Sequence, residues 1–125
     1  MGVAQAFGSM GRERGGQREN RFLAVFREHP RDAPEWFRGV ERASRELDRK
    51  GIDAIIYTDV GKIFIQIKSS QGGKRRFEEL HPRTHIIVII IRGYDLDESI
   101  RKSTYQLVGV RRDIYVAKRQ ARLGS

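Results

Sequence analysis

Apolar residues recur along this chain in three rhythms, and each rhythm predicts a different kind of element. Between Gln17 and His29, Phe22, Leu23, Val25 and Phe26 form a one-sided stripe that Pro30 stops, which predicts a helix over 17–29. Asp32-Ala33-Pro34-Glu35 has capping-box spacing, and Trp36, Val40, Ala43 and Leu47 follow at helical intervals. A second helix is expected there, against a cost of about 1 kcal/mol for Gly39 relative to alanine. Asp48-Arg49-Lys50-Gly51 reads as a polar turn. Then the pattern changes: Ile52–Tyr57 and Lys62–Lys68 read as two short apolar strands joined by a turn at Thr58–Gly61. In the second, Ile63, Ile65 and Ile67 share one face, Gln66 and Lys68 the other. Ser69–Pro82, with Gly72-Gly73 and Lys74-Arg75-Arg76, reads as a flexible basic loop with a short helical turn at Phe77–Leu80.

The third rhythm is continuous. Thr84–Ile91 is apolar at almost every position, which predicts a central strand covered on both faces. Asp95 and Glu98, again at capping-box spacing, open a last helix whose inner face is Ile100, Thr104, Leu107 and Val108, with Gly109 as its candidate end. Ile114-Tyr115-Val116 lies inside the basic stretch Arg111–Arg122 and fits a last strand or a helical turn. Helices alternating with strands in this way make an α/β layer fold. A single domain is expected over 17–125, behind a small, polar, Gly-rich stretch at 1–16 that reads as a flexible tail.

Composition narrows the chemistry. There is no cysteine, hence no disulfide, thiolate zinc site or cysteine nucleophile. No apolar run approaches the ~20 residues of a membrane span, so a soluble, cytoplasmic protein is the expectation. His29, His81 and His85 lie at no metal-ligand spacing, Ser69 and Ser70 have no evident histidine partner, and no Gly-rich phosphate loop joins a strand to a helix. The net charge of +9, from 25 Lys+Arg against 16 Asp+Glu, suits a polyanion such as nucleic acid.

Against this background the hairpin is unusual. Asp53 opens its first strand, and Gln66 and Lys68 close its second. Polar groups at the edge of an apolar hairpin call for a metal, a phosphate or each other. Glu19 stands three and four residues before Phe22 and Leu23, on the buried side of the first helix, either as a helix-dipole partner or as a carboxylate aimed at the sheet. Asp48, five residues before Asp53, fits the same pocket or plain solvent. Lys68 taken alone is a strand-end lysine reaching for water.

The order helical Glu19, then Gly51-Ile52-Asp53, then Gln66-Ile67-Lys68, then a very apolar strand resembles the PD-(D/E)XK nuclease superfamily. The closest branches are the Q-x-K variants of Mrr-type restriction endonucleases, and archaeal Holliday junction resolvases have a similar order of elements. The resemblance spans about Gln17 to Ile91. It implies a restriction-endonuclease-like three-layer fold, a mixed central β-sheet flanked by helices. It also implies a metal-dependent DNA endonuclease of repair, recombination or restriction. Asp53, Gln66 and Glu19 would hold Mg²⁺ or Mn²⁺, with Asp48 as an additional acid and Lys68 as the catalytic lysine. The substrate would be double-stranded or branched DNA. Ser69, Lys74, Arg75, Arg76, Arg111 and Arg112 are candidate backbone contacts, and a solvated charge run explains the basic segments equally well. A homodimer is plausible for so small a nuclease. Gln66 departs from the family pattern: it stands where an acid is usual, so the site carries one negative charge fewer. Hence the alternative of a catalytically degenerate nucleic-acid-binding module on the same fold, and a third, more distant one of an assembly protein whose charge serves solubility.

Overall fold

The computed structural model describes residues 16–28 and 30–124. Most of the predicted tail, residues 1–15, and His29 lie outside the described residues. Helix α1 covers 16–27 and turns Phe22, Leu23, Val25 and Phe26 inward, all of them buried. A 3₁₀ turn at Pro30–Asp32 follows, then β1 (Phe37–Arg42), α2 (Arg45–Arg49), β2 (Ala54–Thr58), β3 (Gly61–Lys68), α3 (Gln71–Leu80), β4 (Ile87–Ile90) and α4 (Asp97–Gly124). The strands form one mixed sheet in the order β1-β2-β3-β4, antiparallel as far as β3, with β4 parallel to β3.

The hairpin is the predicted one, with Ala54 opposite Ile65 and Thr58 opposite Gly61. Its period-2 pattern sorts the layers. Ile63, Ile65 and Ile67, with Ala54, Ile56, Ile87 and Ile89, form one core with Phe22, Val25 and Phe26 of α1 and Ile100 and Val108 of α4. The other face carries Gln66 and Lys68 and meets α3, whose one buried residue is Phe77. The chain is therefore α/β, a four-stranded mixed sheet with helices on both faces. No helix among the described residues is long and apolar enough to cross a membrane.

Five expectations are corrected. The second helix is a strand over Phe37–Arg42, followed by only five residues of helix. Gly39 explains it: its φ of 152° lies outside the helical region, and Val40 and Glu41 pair with Ile56 and Ile55 of β2. The basic loop is mostly helix α3, because Ser70 caps it by accepting from Gly73 N–H at 3.0 Å. The glycine pair does not break it, and Gly73 packs near Lys68, where a Cβ would sit at an ordinary contact distance of 3.6 Å from Lys68 Cβ. The apolar strand is covered on its faces, with Ile87, Val88 and Ile89 buried, yet it is the sheet edge and not its centre. Finally, Gly109 does not end α4, which runs on unbroken through Ile114-Tyr115-Val116. Gly109 lies where a Cβ would come within 3.3 Å of Trp36 Cζ2, so it serves a close crossing. Asp95 does not cap α4 with Glu98 either. Its Oδ2 accepts from Arg92 N–H at 2.7 Å, within the preceding loop.

Candidate metal centre

Three elements converge beside the C-terminal end of β3. Asp53 immediately precedes β2 and is held at three points. Its N–H donates to Ile65 O at 2.8 Å, its carbonyl accepts from Ala43 N–H at 3.1 Å, and its Oδ2 accepts from Ile67 N–H at 2.7 Å. A carboxylate anchored through one oxygen has little rotamer freedom left to lose on binding a cation.

Asp48 reaches the same place through the turn after α2. Ser44 caps that helix by accepting from Leu47 N–H, and Gly51, at φ 86°, closes it. Gly51 N–H donates to Asp48 O at 3.0 Å and Ile52 N–H to Leu47 O at 3.1 Å. This is the Schellman pattern, with glycine in the left-handed conformation and an apolar residue after it. The reversal folds Asp48 back toward Asp53. Glu19 arrives from α1. Carboxylate oxygens of Glu19, Asp48 and Asp53 all lie within 4.8 Å of one another. Of the two openings for Asp48, the structure takes both: the side chain is exposed and it joins the acid cluster.

The electrostatics are those of an under-compensated site. Burial pushes the Asp53 carboxyl up, against the pull of the Ile67 N–H, and the Asp48 carboxylate adds to the rise while Lys68 opposes it. Burial also raises Glu19, as do Asp53 and Asp48, against Arg42. Arg42 pairs with Glu19 at 2.6 Å and donates to Asn20 Oδ1 as well, so one of the acids has a counter-ion within the protein.

Gln66 and Lys68 line the same pocket, an open concavity of about 370 Å³ walled also by Arg18, Glu19, Asp53, Ile67 and Ser69. Gln66 Oε1 is buried and has no hydrogen-bond partner among the described residues. It lies 3.9 Å from where a Gly51 Cβ would be. Lys68 Nζ sits 5.5 Å from the centroid of the Phe77 ring, on the α3 side of the pocket. Glu19, Asp53, Gln66, Lys68, Asp48 and Ser69 are thus brought together.

The basic candidates divide. Lys74, Arg75 and Arg76 stand on α3, and Arg75 and Arg76 are exposed. Arg111 and Arg112 lie on α4 and are engaged internally. Arg111 donates to His85 O at 2.9 Å, and Arg112 holds Asp59 at 2.6 Å and Asp113 at 3.2 Å. Arg18 lines the pocket, Arg42 pairs with its Glu19 and the Phe77 ring lies beside its Lys68, none of them singled out as a site residue in the sequence. The one local signal was Gly51-Ile52 after Leu47, a helix-stop pattern that points back toward Asp48.

Three carboxylates with oxygens this close are a donor set of the kind hard divalent cations take, and Gln66 lines the pocket beside two of them. The residues fit such an ion. Comparison with protein-family models, with curated proteins and with solved structures finds no significant match.

Proposed function

We propose that the protein is a metal-dependent DNA endonuclease of restriction-endonuclease-like fold, hydrolysing phosphodiester bonds in double-stranded or branched DNA. The observation that carries the reading is that Glu19 and Asp53 share one pocket with Gln66 and Lys68, and that Asp48 brings a third carboxylate oxygen within 4.8 Å of theirs. Residues far apart in the chain meet at one point with too much negative charge for their surroundings. The helix–sheet–helix layering and the parallel step from β3 through α3 to β4 support the fold reading.

Asp53, Glu19 and Asp48 would hold Mg²⁺ or Mn²⁺, with the Gln66 amide oxygen as a neutral ligand. When bound there, such an ion supplies a water of lowered pKa and a clamp on phosphate oxygens. The chain's own residues do the rest. Asp53, fixed by Ile67 N–H, presents its free oxygen with little motion. The Lys68 ammonium offsets charge that grows on the phosphoryl oxygens. Arg18 and Ser69, on the rim, steady the backbone of the bound strand. The lysine and arginines of α3 add a field that draws DNA in.

The test is nicking of supercoiled, linear and branched DNA with Mg²⁺ or Mn²⁺, expected to vanish in Asp53→Ala and Lys68→Ala. Failure of the purified protein to cut any of the three with either ion removes the enzyme. The second reading, a binding module that does not cut, is favoured by the Arg42–Glu19 ion pair, which neutralises one candidate ligand. It expects salt-dependent DNA binding that is indifferent to Asp53→Ala. A homodimer is also part of the proposal. The outer edge of β4 has no strand partner among the described residues, and Leu107, Val110 and Ile114 are exposed on α4 beside it. Light scattering that returns the monomer mass at every concentration removes the dimer.

A further inference from the structure

Next to the acid pocket lies a second, larger concavity of about 820 Å³, and Arg18 and Ser69 belong to the walls of both. Its far wall is the loop between β4 and α4, which contributes Ile91, Arg92, Gly93 and Tyr94. That loop is firmly built. Arg21 of α1 donates Nη1 to Arg92 O at 3.0 Å and Nη2 to Asp95 O, and it pairs with Asp97 at 3.2 Å. Arg92 N–H in turn donates to Asp95 Oδ2. So much anchoring holds in place a tyrosine that is 80% exposed. The Arg92 guanidinium lies 5.9 Å from the Tyr94 ring centroid and is held only loosely by Asp95, at 4.0 Å. Arg18, on the shared rim, makes no ion pair among the described residues.

An exposed aromatic on an anchored loop is a stacking platform, since the ordering cost is already met by the fold. Flanking guanidinium groups suit a phosphate on either side of the stacked ring. Bases inside an intact duplex offer no free face to such a ring, whereas an unpaired base does. We infer that this groove binds an unpaired nucleotide of a nucleic-acid strand, its base on Tyr94 and its phosphate at Arg18. The preferred ligand is then a strand with a flap, fork or overhang, not an uninterrupted duplex. This rests on the nuclease reading in one respect, that the neighbouring phosphate enters the acid pocket.

The experiment is fluorescence anisotropy in EDTA, where nothing is cut. The probes are a labelled blunt duplex and the same duplex with an oligothymidylate overhang of about a dozen nucleotides. The protein is expected to prefer the overhang. Tyr94→Ala should weaken that probe by roughly five- to a hundredfold, the worth of one stacked base, and the blunt duplex less than about twofold. Tyr94→Phe should bind as the parent does and Tyr94→Leu as the alanine variant, with melting temperatures showing that all are folded. The inference is overturned by equal affinity for both probes, by Tyr94→Ala binding the overhang unchanged, or by equal loss on both probes. Asp53→Ala should keep the Tyr94-dependent preference. If no DNA is ever cut and the preference persists, the nuclease reading falls and this one stands; if DNA is cut and Tyr94 is indifferent, the reverse holds.

Discussion

Strand β2 is flanked by two aspartates that the fold treats in opposite ways. Asp59, just beyond its C-terminal end, is clasped by Arg112 through both carboxylate oxygens, at 3.0 and 2.6 Å, and its carboxyl is held below the usual range by that hydrogen bonding. Asp53, just before its N-terminal end, is pushed up by burial and by Asp48, with a single backbone N–H and a more distant lysine in its favour. A chain with an excess of basic residues had cations to spare for both. It supplies one to Asp59 and withholds it from Asp53. Asp59 is charge-balanced within the protein, whereas Asp53 is not, which is the imbalance the proposed cation would relieve.

The comparison breaks most readily on catalysis. Asp53→Asn is expected to lower metal-dependent nicking by about a hundredfold or more, whereas Asp59→Asn leaves it within about twofold. Equal losses in the two variants would make the contrast one of stability alone. Next in size is the effect of restoring the absent charge. Gln66→Glu should tighten Mn²⁺ binding by roughly tenfold in a calorimetric titration, through added attraction in a partly buried site. Unchanged affinity would mean that position 66 does not face the ion.

Smaller effects sharpen the contrast in the metal-free protein. Asparagine at position 53 keeps an acceptor for Ile67 N–H and removes the charge, so Asp53→Asn should raise the melting temperature by about 2–5 °C at neutral pH. Because the folded Asp53 carboxyl lies above its unfolded value, stability falls as pH rises through that interval. The advantage of the variant is therefore full at neutral pH and disappears as pH drops below the carboxylate range. Asp59 has the opposite sign. Its folded value is depressed, so its contribution is present above the unfolded value and is lost as pH falls through the folded one. Asp59→Asn should lower the melting temperature by only about a degree or two near neutrality, less in high salt, and not at all in acid. Parallel pH profiles for the two variants would overturn the contrast.

How much of this was written in the sequence differs by residue. Phe22, Leu23, Val25 and Phe26 gave α1, and the alternation of Ile63, Ile65 and Ile67 gave β3, because each buries one face against one layer and the period survives. Asp53, Gln66 and Lys68 could be placed near each other for the same reason, since a hairpin fixes its own register. β1 was not legible. Trp36, Val40 and Leu47 mimic a helical period, whereas the φ of Gly39 and the pairing of Val40 and Glu41 with β2 make the chain extended. In α3 and α4 the misleading residues were also glycines. Gly73 and Gly109 look like breaks, yet both sit inside helices, Gly73 in ordinary contact distance of Lys68 and Gly109 at a tight crossing with Trp36. Such contacts are tertiary and leave no local trace. The inclusion of Asp48 depended on a turn geometry that a single glycine and isoleucine only hint at.

The arrival of Glu19 on α1 has a consequence for the order in which the molecule assembles. Asp53, Gln66 and Lys68 belong to a hairpin that closes early, because its loop is short. Glu19 joins them only when α1 has seated Phe22 and its neighbours against the sheet, a contact across a long stretch of chain. No contiguous fragment shorter than that span contains the full acid set. If the proposed cation binds, binding with the complete site's affinity would report that the helix is docked, and by mass action would draw the docking equilibrium toward completion.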